Sequence, residues 1–172
     1  MKRLILMRHA KSSWSNPALS DALRPLNRRG REAAQVLGRW LHLSGQQIDQ
    51  ALVSSATRTR ETYAELGLMA NPVFVNALYE ATVATMLDVL HKADPKAACV
   101  LMIGHNPGIG SFAEKLLRLP PPHGRFFDYP TGATLICDFD IETWAELRLG
   151  TGSVAGFTVP RELMGDESLR KA

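Results

Sequence analysis

The chain has 172 residues, 45% of them hydrophobic and 22% charged, which excludes a disordered chain or a fibre and predicts one domain over residues 1–172. Its net charge of +3 conceals an asymmetry: residues 1–60 carry 11 Lys+Arg against 3 Asp+Glu, whereas residues 61–172 carry 9 against 14. The longest apolar run, Ala97 to Ile103, falls far short of the ~20 residues a membrane span needs, so no membrane partner is expected. Cys99 and Cys137 lie in apolar runs without CxxC or Cys/His spacing, which fits small core residues in a reducing, cytoplasmic setting.

Leu4 to Met7 is a short apolar run bounded by charge and reads as a buried strand. Arg28 to Leu43 follows as a helix, because Ala33, Val36, Leu37, Trp40 and Leu41 repeat at the spacing of one apolar face. Gln50 to Val53 reads as a second strand, after which the Ser54 and Ser55 hydroxyls are suited to capping a helix that runs to about Leu68. Pro72 to Val75 is a third strand, and Thr82 caps a helix that buries Met86, Leu87 and Leu90. Ala98 to Ile103 reads as a central strand, with Asn106 as cap and Pro107 as first residue of the next helix. Beyond a loop from Pro120 to Gly132, Ala133 to Asp140 and Thr143 to Leu147 read as an antiparallel hairpin. Residues 165–172 read as a frayed tail. The predicted fold class is therefore α/β: three layers, α/β/α, with a mostly parallel central sheet, helices on both faces and a C-terminal antiparallel hairpin.

In such a sheet, ligands bind beyond the carboxyl ends of the parallel strands. Arg8 and His9 follow the first strand, Arg58 lies in the helical turn after the second, Glu80 follows the third, and His105 and Asn106 follow the fourth. Guanidinium forks match phosphate oxygens, and helix N-termini add backbone donors to the same anion. One imidazole can then attack phosphorus while the other stabilises developing charge, a scheme for phosphoryl transfer that needs no metal or cofactor. Lys11 and Ser12, beside His9, are candidate phosphate contacts, as is Asn106. Glu80 reads either as a solvated loop carboxylate or as a proton donor. Arg24, Arg28, Arg29 and Arg31 read as a solvated basic face, and His42, His91 and His123 as non-catalytic.

Arg8-His9, the stretch Ser54-Ser55-Ala56-Thr57-Arg58-Thr59-Arg60-Glu61-Thr62, and Gly104-His105-Asn106-Pro107 together resemble the signature of the histidine phosphatase, or phosphoglycerate-mutase-like, superfamily. Ala10 after the Arg-His pair, together with Arg24-Pro25-Leu26 and Arg29-Gly30, is similar to the short SixA-type phosphohistidine phosphatases. The resemblance implies that His9 becomes phosphorylated, that Arg8, Arg58 and His105 hold the phosphoryl group, and that the partner is a phosphohistidine-bearing protein. Asn106 stands where acid-branch relatives carry Asp, so it is not a proton donor. The alternative is a small-molecule phosphomonoesterase or pyrophosphatase of the same fold. A non-enzymatic phosphate or nucleic-acid binding module is the third reading. No interleaved aromatic platform accompanies the basic residues, so no nucleic-acid partner is expected.

Overall fold

The computed structural model describes residues 1–170. The strands are β1 (Lys2–Arg8), β2 (Gln50–Ser54), β3 (Pro72–Val75), β4 (Cys99–Gly104), β5 (Thr134–Phe139) and β6 (Ser153–Thr158). The helices are α1 (Arg28–Leu43), α2 (Thr57–Leu66), α3 (Val83–His91), α4 (Gly108–Leu116), α5 (Pro160–Met164) and α6 (Glu167–Arg170), with short 3₁₀ turns at Asp21–Leu23, Asn76–Leu78 and Trp144–Glu146. The strands form one sheet in the order β3-β2-β4-β1-β5-β6, parallel from β3 to β1 and antiparallel at β5 and β6.

Side chains alternate across the sheet and divide the core in two. Leu4, Leu6, Leu52, Val100 and Met102 join Met86 and Leu90 of α3 and Phe112 and Leu116 of α4 on one face. On the other, Ile5, Met7, Val53, Leu101 and Ile103 join Val36, Leu37 and Leu41 of α1 and Tyr63 and Leu66 of α2. Every residue of β4 is buried, as its near-continuous apolar run requires of a central parallel strand.

This layout fixes where a ligand can sit. The chain leaves β1 toward the α1/α2 face, whereas it leaves β4, the neighbour of β1, toward the α3/α4 face. Connections departing to opposite faces from adjacent parallel strands open a crevice between them, at their carboxyl ends.

Four local expectations are corrected. Thr143 to Leu147 is not a strand: Thr143 and Glu146 form a capping box around a 3₁₀ turn that drives Trp144 into the core, where its Nε1 donates to the Ala97 carbonyl at 2.8 Å. The partner of β5 is β6, an edge strand with little burial. Helix α2 takes Ala56 as its N-cap, without a side-chain cap. Pro107 is the N-cap of α4 rather than its first residue, and Asn106 Oδ1 accepts from the Gly110 amide at 3.1 Å. The tail expected to fray forms α6, where Leu169 is buried; residues 171 and 172 lie outside the described residues.

Candidate active site

The register of β1 against β4 pairs Arg8 with Gly104, so the next residues, His9 and His105, emerge side by side at the crevice. The His9 amide donates to the Gly104 carbonyl at 3.1 Å, and the two imidazole centroids are 5.3 Å apart. From β2, Ser54 Oγ lies 2.8 Å from His105 Nε2, and the following helix delivers Arg58. A cavity of about 620 Å³ opens here, lined by Asp21, Arg58, Tyr79, Glu80, His105 and Asn106.

His9 is 5% exposed, and its Nδ1 lies 2.7 Å from the Ala10 carbonyl. A carbonyl can only accept, so Nδ1 carries the ring proton and Nε2 keeps its lone pair. Burial lowers the His9 pKa to about 3, opposed by the Ala10 hydrogen bond and reinforced by His105, Arg58 and Arg8. His105 is lowered to about 4, again by burial first and then by Arg58. Both rings are neutral at neutral pH.

The arginines are held by carbonyl and carboxylate oxygens. Arg8 Nη1 donates to the Tyr129 carbonyl at 3.2 Å, and burial together with nearby Arg58 lowers the Arg8 pKa. Arg58 Nη1 donates to the Asp21 carbonyl at 2.7 Å, and its Nη2 to Asp21 Oδ2 at 3.0 Å. Three buried donor or acceptor atoms of this set, Arg8 Nε, Arg58 Nε and His105 Nδ1, have no hydrogen-bond partner among the described residues. Buried polar atoms are ordinarily satisfied, and orphans beside two cations are what an anionic ligand would satisfy.

Of the predicted residues, Arg8, His9, Arg58 and His105 converge. Glu80 is exposed at the cavity rim, with a left-handed backbone (φ 55°). Asn106 also lines the cavity, but its carboxamide is engaged at both ends, donating to the Asp128 and Tyr129 carbonyls and accepting from Gly110. Ser12 is buried, with its Oγ accepting from Arg24 Nη2 at 2.9 Å, and Lys11 is exposed in a separate recess. Arg24 departs from the solvated face expected of it: it is buried and stacks on Trp14 at 3.3 Å. Arg28 fits that expectation, and Arg31 pairs with Glu61 and Glu65.

The residues missed are Asp21, Tyr79 and Ser54 as partners of the charged groups. Tyr79 donates to Asp21 Oδ2 at 2.5 Å. That bond, with support from Arg58 and Arg24, lowers the Asp21 pKa and keeps it a carboxylate. The available signal was slight: Asp21 is one of only three acids among the first 60 residues.

Residues 4–82 match the family model of the histidine phosphatase superfamily (branch 1). Phosphohistidine phosphatase SixA of Escherichia coli is 30% identical over 122 residues, spanning 66% of this chain and 73% of that protein. The chain belongs to the histidine phosphatase superfamily. It is a phosphatase of the SixA type, and its six-stranded, mostly parallel sheet is the histidine phosphatase fold. A Nakamurella multipartitia structure assigned to SixA superimposes with a TM-score of 0.81 at 28% identity, covering 92% of this chain and 96% of the other. The uncharacterized protein Rv1276c of Mycobacterium tuberculosis is 29% identical over 160 residues, covering 90% of this chain and all of that protein. Among the described residues no helix is long and apolar enough to cross a membrane.

Proposed function

We propose that this phosphatase hydrolyses phosphohistidine on a protein through a covalent phospho-His9 intermediate. The observation that carries the reading is the His9 Nδ1 bond to the Ala10 carbonyl in a buried, neutral ring, which leaves Nε2 as a nucleophile without prior deprotonation. His9 Nε2 attacks phosphorus, the bond from phosphorus to the substrate imidazole breaks, and the departing imidazole nitrogen takes a proton from solvent. Water then attacks the phospho-His9 phosphorus and releases inorganic phosphate. Arg8, Arg58 and His105, with their orphaned nitrogens, stabilise the charge that develops on the phosphoryl oxygens.

Two features favour an imidazole leaving group. Asp21 is held ionised and cannot donate a proton, and an imidazole needs far less protonation than an alkoxide does. The relative from E. coli bears the name of this activity. The second reading, hydrolysis of small phosphomonoesters, draws on Glu80, whose carboxyl group at the cavity rim, when protonated, could give its proton to the leaving alkoxide oxygen.

A brief reaction with phosphohistidine protein, quenched in denaturant, tests the intermediate. Acid-labile, alkali-stable phosphate should appear on the wild type and map to His9, and His9→Ala should carry none and turn nothing over. Turnover by a correctly folded His9→Ala protein would falsify the mechanism. Side-by-side assay of phosphohistidine protein and a small phosphomonoester separates the two substrate readings.

A further inference from the structure

A second concavity of about 670 Å³ lies on the other side of the segment that follows His9. It is lined by Lys11, Arg29, Arg125 and Arg161, with the half-buried Pro130 and Pro160 supplying apolar surface. Among the described residues no acidic side chain lines it. Arg125 is paired with Asp128 at 3.0 Å, but among the described residues Lys11, Arg29 and Arg161 make no ion pair.

Packing ties this recess to the catalytic histidine. Lys11 is two residues beyond His9, and the Gly132 amide donates to the His9 and Arg8 carbonyls at 3.0 and 3.1 Å, which brings Thr131 of the recess wall against the end of β1. Gly30 presses on Lys11 so closely that a Cβ there would stand 2.1 Å from the Lys11 carbonyl oxygen, which fixes Arg29 beside Lys11. A Cβ on Gly132 would likewise stand 2.4 Å from Pro160 Cγ, so α5 and Arg161 are packed against the same loop. Lys11, Arg29 and Arg161, from three separate segments, are thereby held around one recess that shares no lining residue with the cavity of Arg58 and His105.

We infer that this recess docks an acidic segment of the phosphoprotein substrate, carboxylates meeting Lys11, Arg29 and Arg161 while its aliphatic side chains cover Pro130 and Pro160. The inference rests on the protein-substrate reading above. Its basis is charge complementarity: unpaired like charges gathered at one concavity repel one another until a polyanion enters, and they steer its approach. A nucleic acid is the weaker occupant, because no aromatic side chain lines the recess to stack on bases.

The test uses the full chain and the double variant Arg29→Glu/Arg161→Glu, both positions being exposed and outside the catalytic set. The probes are an unphosphorylated Glu/Asp-rich peptide, its Gln/Asn counterpart and a single-stranded oligonucleotide of equal charge. Wild type should bind the acidic peptide in preference to both others, with affinity that falls as salt rises. The double variant should lose about tenfold in that affinity and most of the salt dependence, as rim charges do. Its turnover of phosphoramidate, which is too small to span the catalytic cavity and the recess together, should match wild type. Equal peptide affinity in wild type and variant overturns the inference, and so does an oligonucleotide that binds as tightly as the peptide. Peptide binding that follows the expected pattern, alongside failure to hydrolyse phosphohistidine protein, upholds the docking surface and overturns the substrate reading alone.

Discussion

The two ends of the parallel strands use their polar groups in opposite ways. At the amino end, Lys2 Nζ donates to the Pro95 and Ala97 carbonyls, Asp49 Oδ2 accepts from the Ala98 and Cys99 amides at 2.9 Å, and Arg3 grips both oxygens of Asp138. Every one of those charges is answered by the protein itself. At the carboxyl end, Arg8, Arg58 and His105 each keep a buried nitrogen without a hydrogen-bond partner, and Arg24 nearby keeps two, one of them 3.6 Å from Asp21 Oδ1. All the orphaned buried side-chain atoms among the described residues lie at this end. One end spends its polar groups on stability, while the other holds donors in reserve for an anion at some cost in stability.

The sharpest way to probe that contrast is through two arginines on the same helix. Arg58 is buried at the site, whereas Arg60 donates to the Ser55 carbonyl, stacks on Phe74 and is exposed. Arg58→Ala should lower kcat/KM by about 100-fold or more, the cost of one preorganised charged donor, and Arg60→Ala should leave it nearly unchanged. The reverse order in steady-state kinetics would assign the anion site to the wrong face of α2.

Asp21 asks whether the reserve must be aimed as well as present. Asp21→Asn preserves shape but weakens the clamp on Arg58 and the Tyr79 bond, so kcat should fall about tenfold through misplacement of the guanidinium. Tyr79→Phe should share part of that loss. An unchanged kcat in both would show that Arg58 needs no external positioning.

At the opposite end, Asp49→Ala removes the acceptor of two amides and should cost about 1 kcal/mol of folding stability. Chemical denaturation would register the loss, while kcat/KM at 25 °C should stay at the wild-type value. A drop in activity without a drop in stability would erase the division between the two ends.

A pH dependence separates stability from activity at the same site. His9 and His105 titrate near 3 and 4 in the folded protein, against an ordinary 6.5. As pH falls from 6.5 the unfolded chain takes up protons that the folded site refuses, so stability is level above 6.5 and declines through that window toward pH 4 and below. The melting temperature should therefore be lower at pH 5 than at pH 7, while the free enzyme keeps a neutral His9 and hence no acid limb near 6.5 in kcat/KM. An activity limb at 6.5 would mean that the site is better hydrated than its burial implies.

Local pattern alone determined much of this protein. The apolar stripe of α1 locates that helix from Arg28 to Leu43, and the unbroken apolar run of β4 marks a strand buried on both faces, because each pattern records the environment of its own residues. Strand-helix alternation then orders Arg8, His9, Arg58 and His105 along one sheet edge, which made the centre of the candidate site legible. Thr143 to Leu147 misled because Trp144 and Glu146 also satisfy a capped turn, and β6 was hidden because an exposed edge strand writes little hydrophobic contrast.

Only the tertiary structure decided how those charges are held. Asp21 meets Arg58 across 37 positions, Ser54 meets His105 across 51, and Tyr79 reaches Asp21 across 58, contacts between segments that leave no periodicity in any of them. The same is true of Arg24, which counts as one more exposed cation until Trp14 and Ser12 enclose it. Residue type and spacing state which chemistry is available, but burial and partner set protonation and aim, and these arise only when distant segments pack.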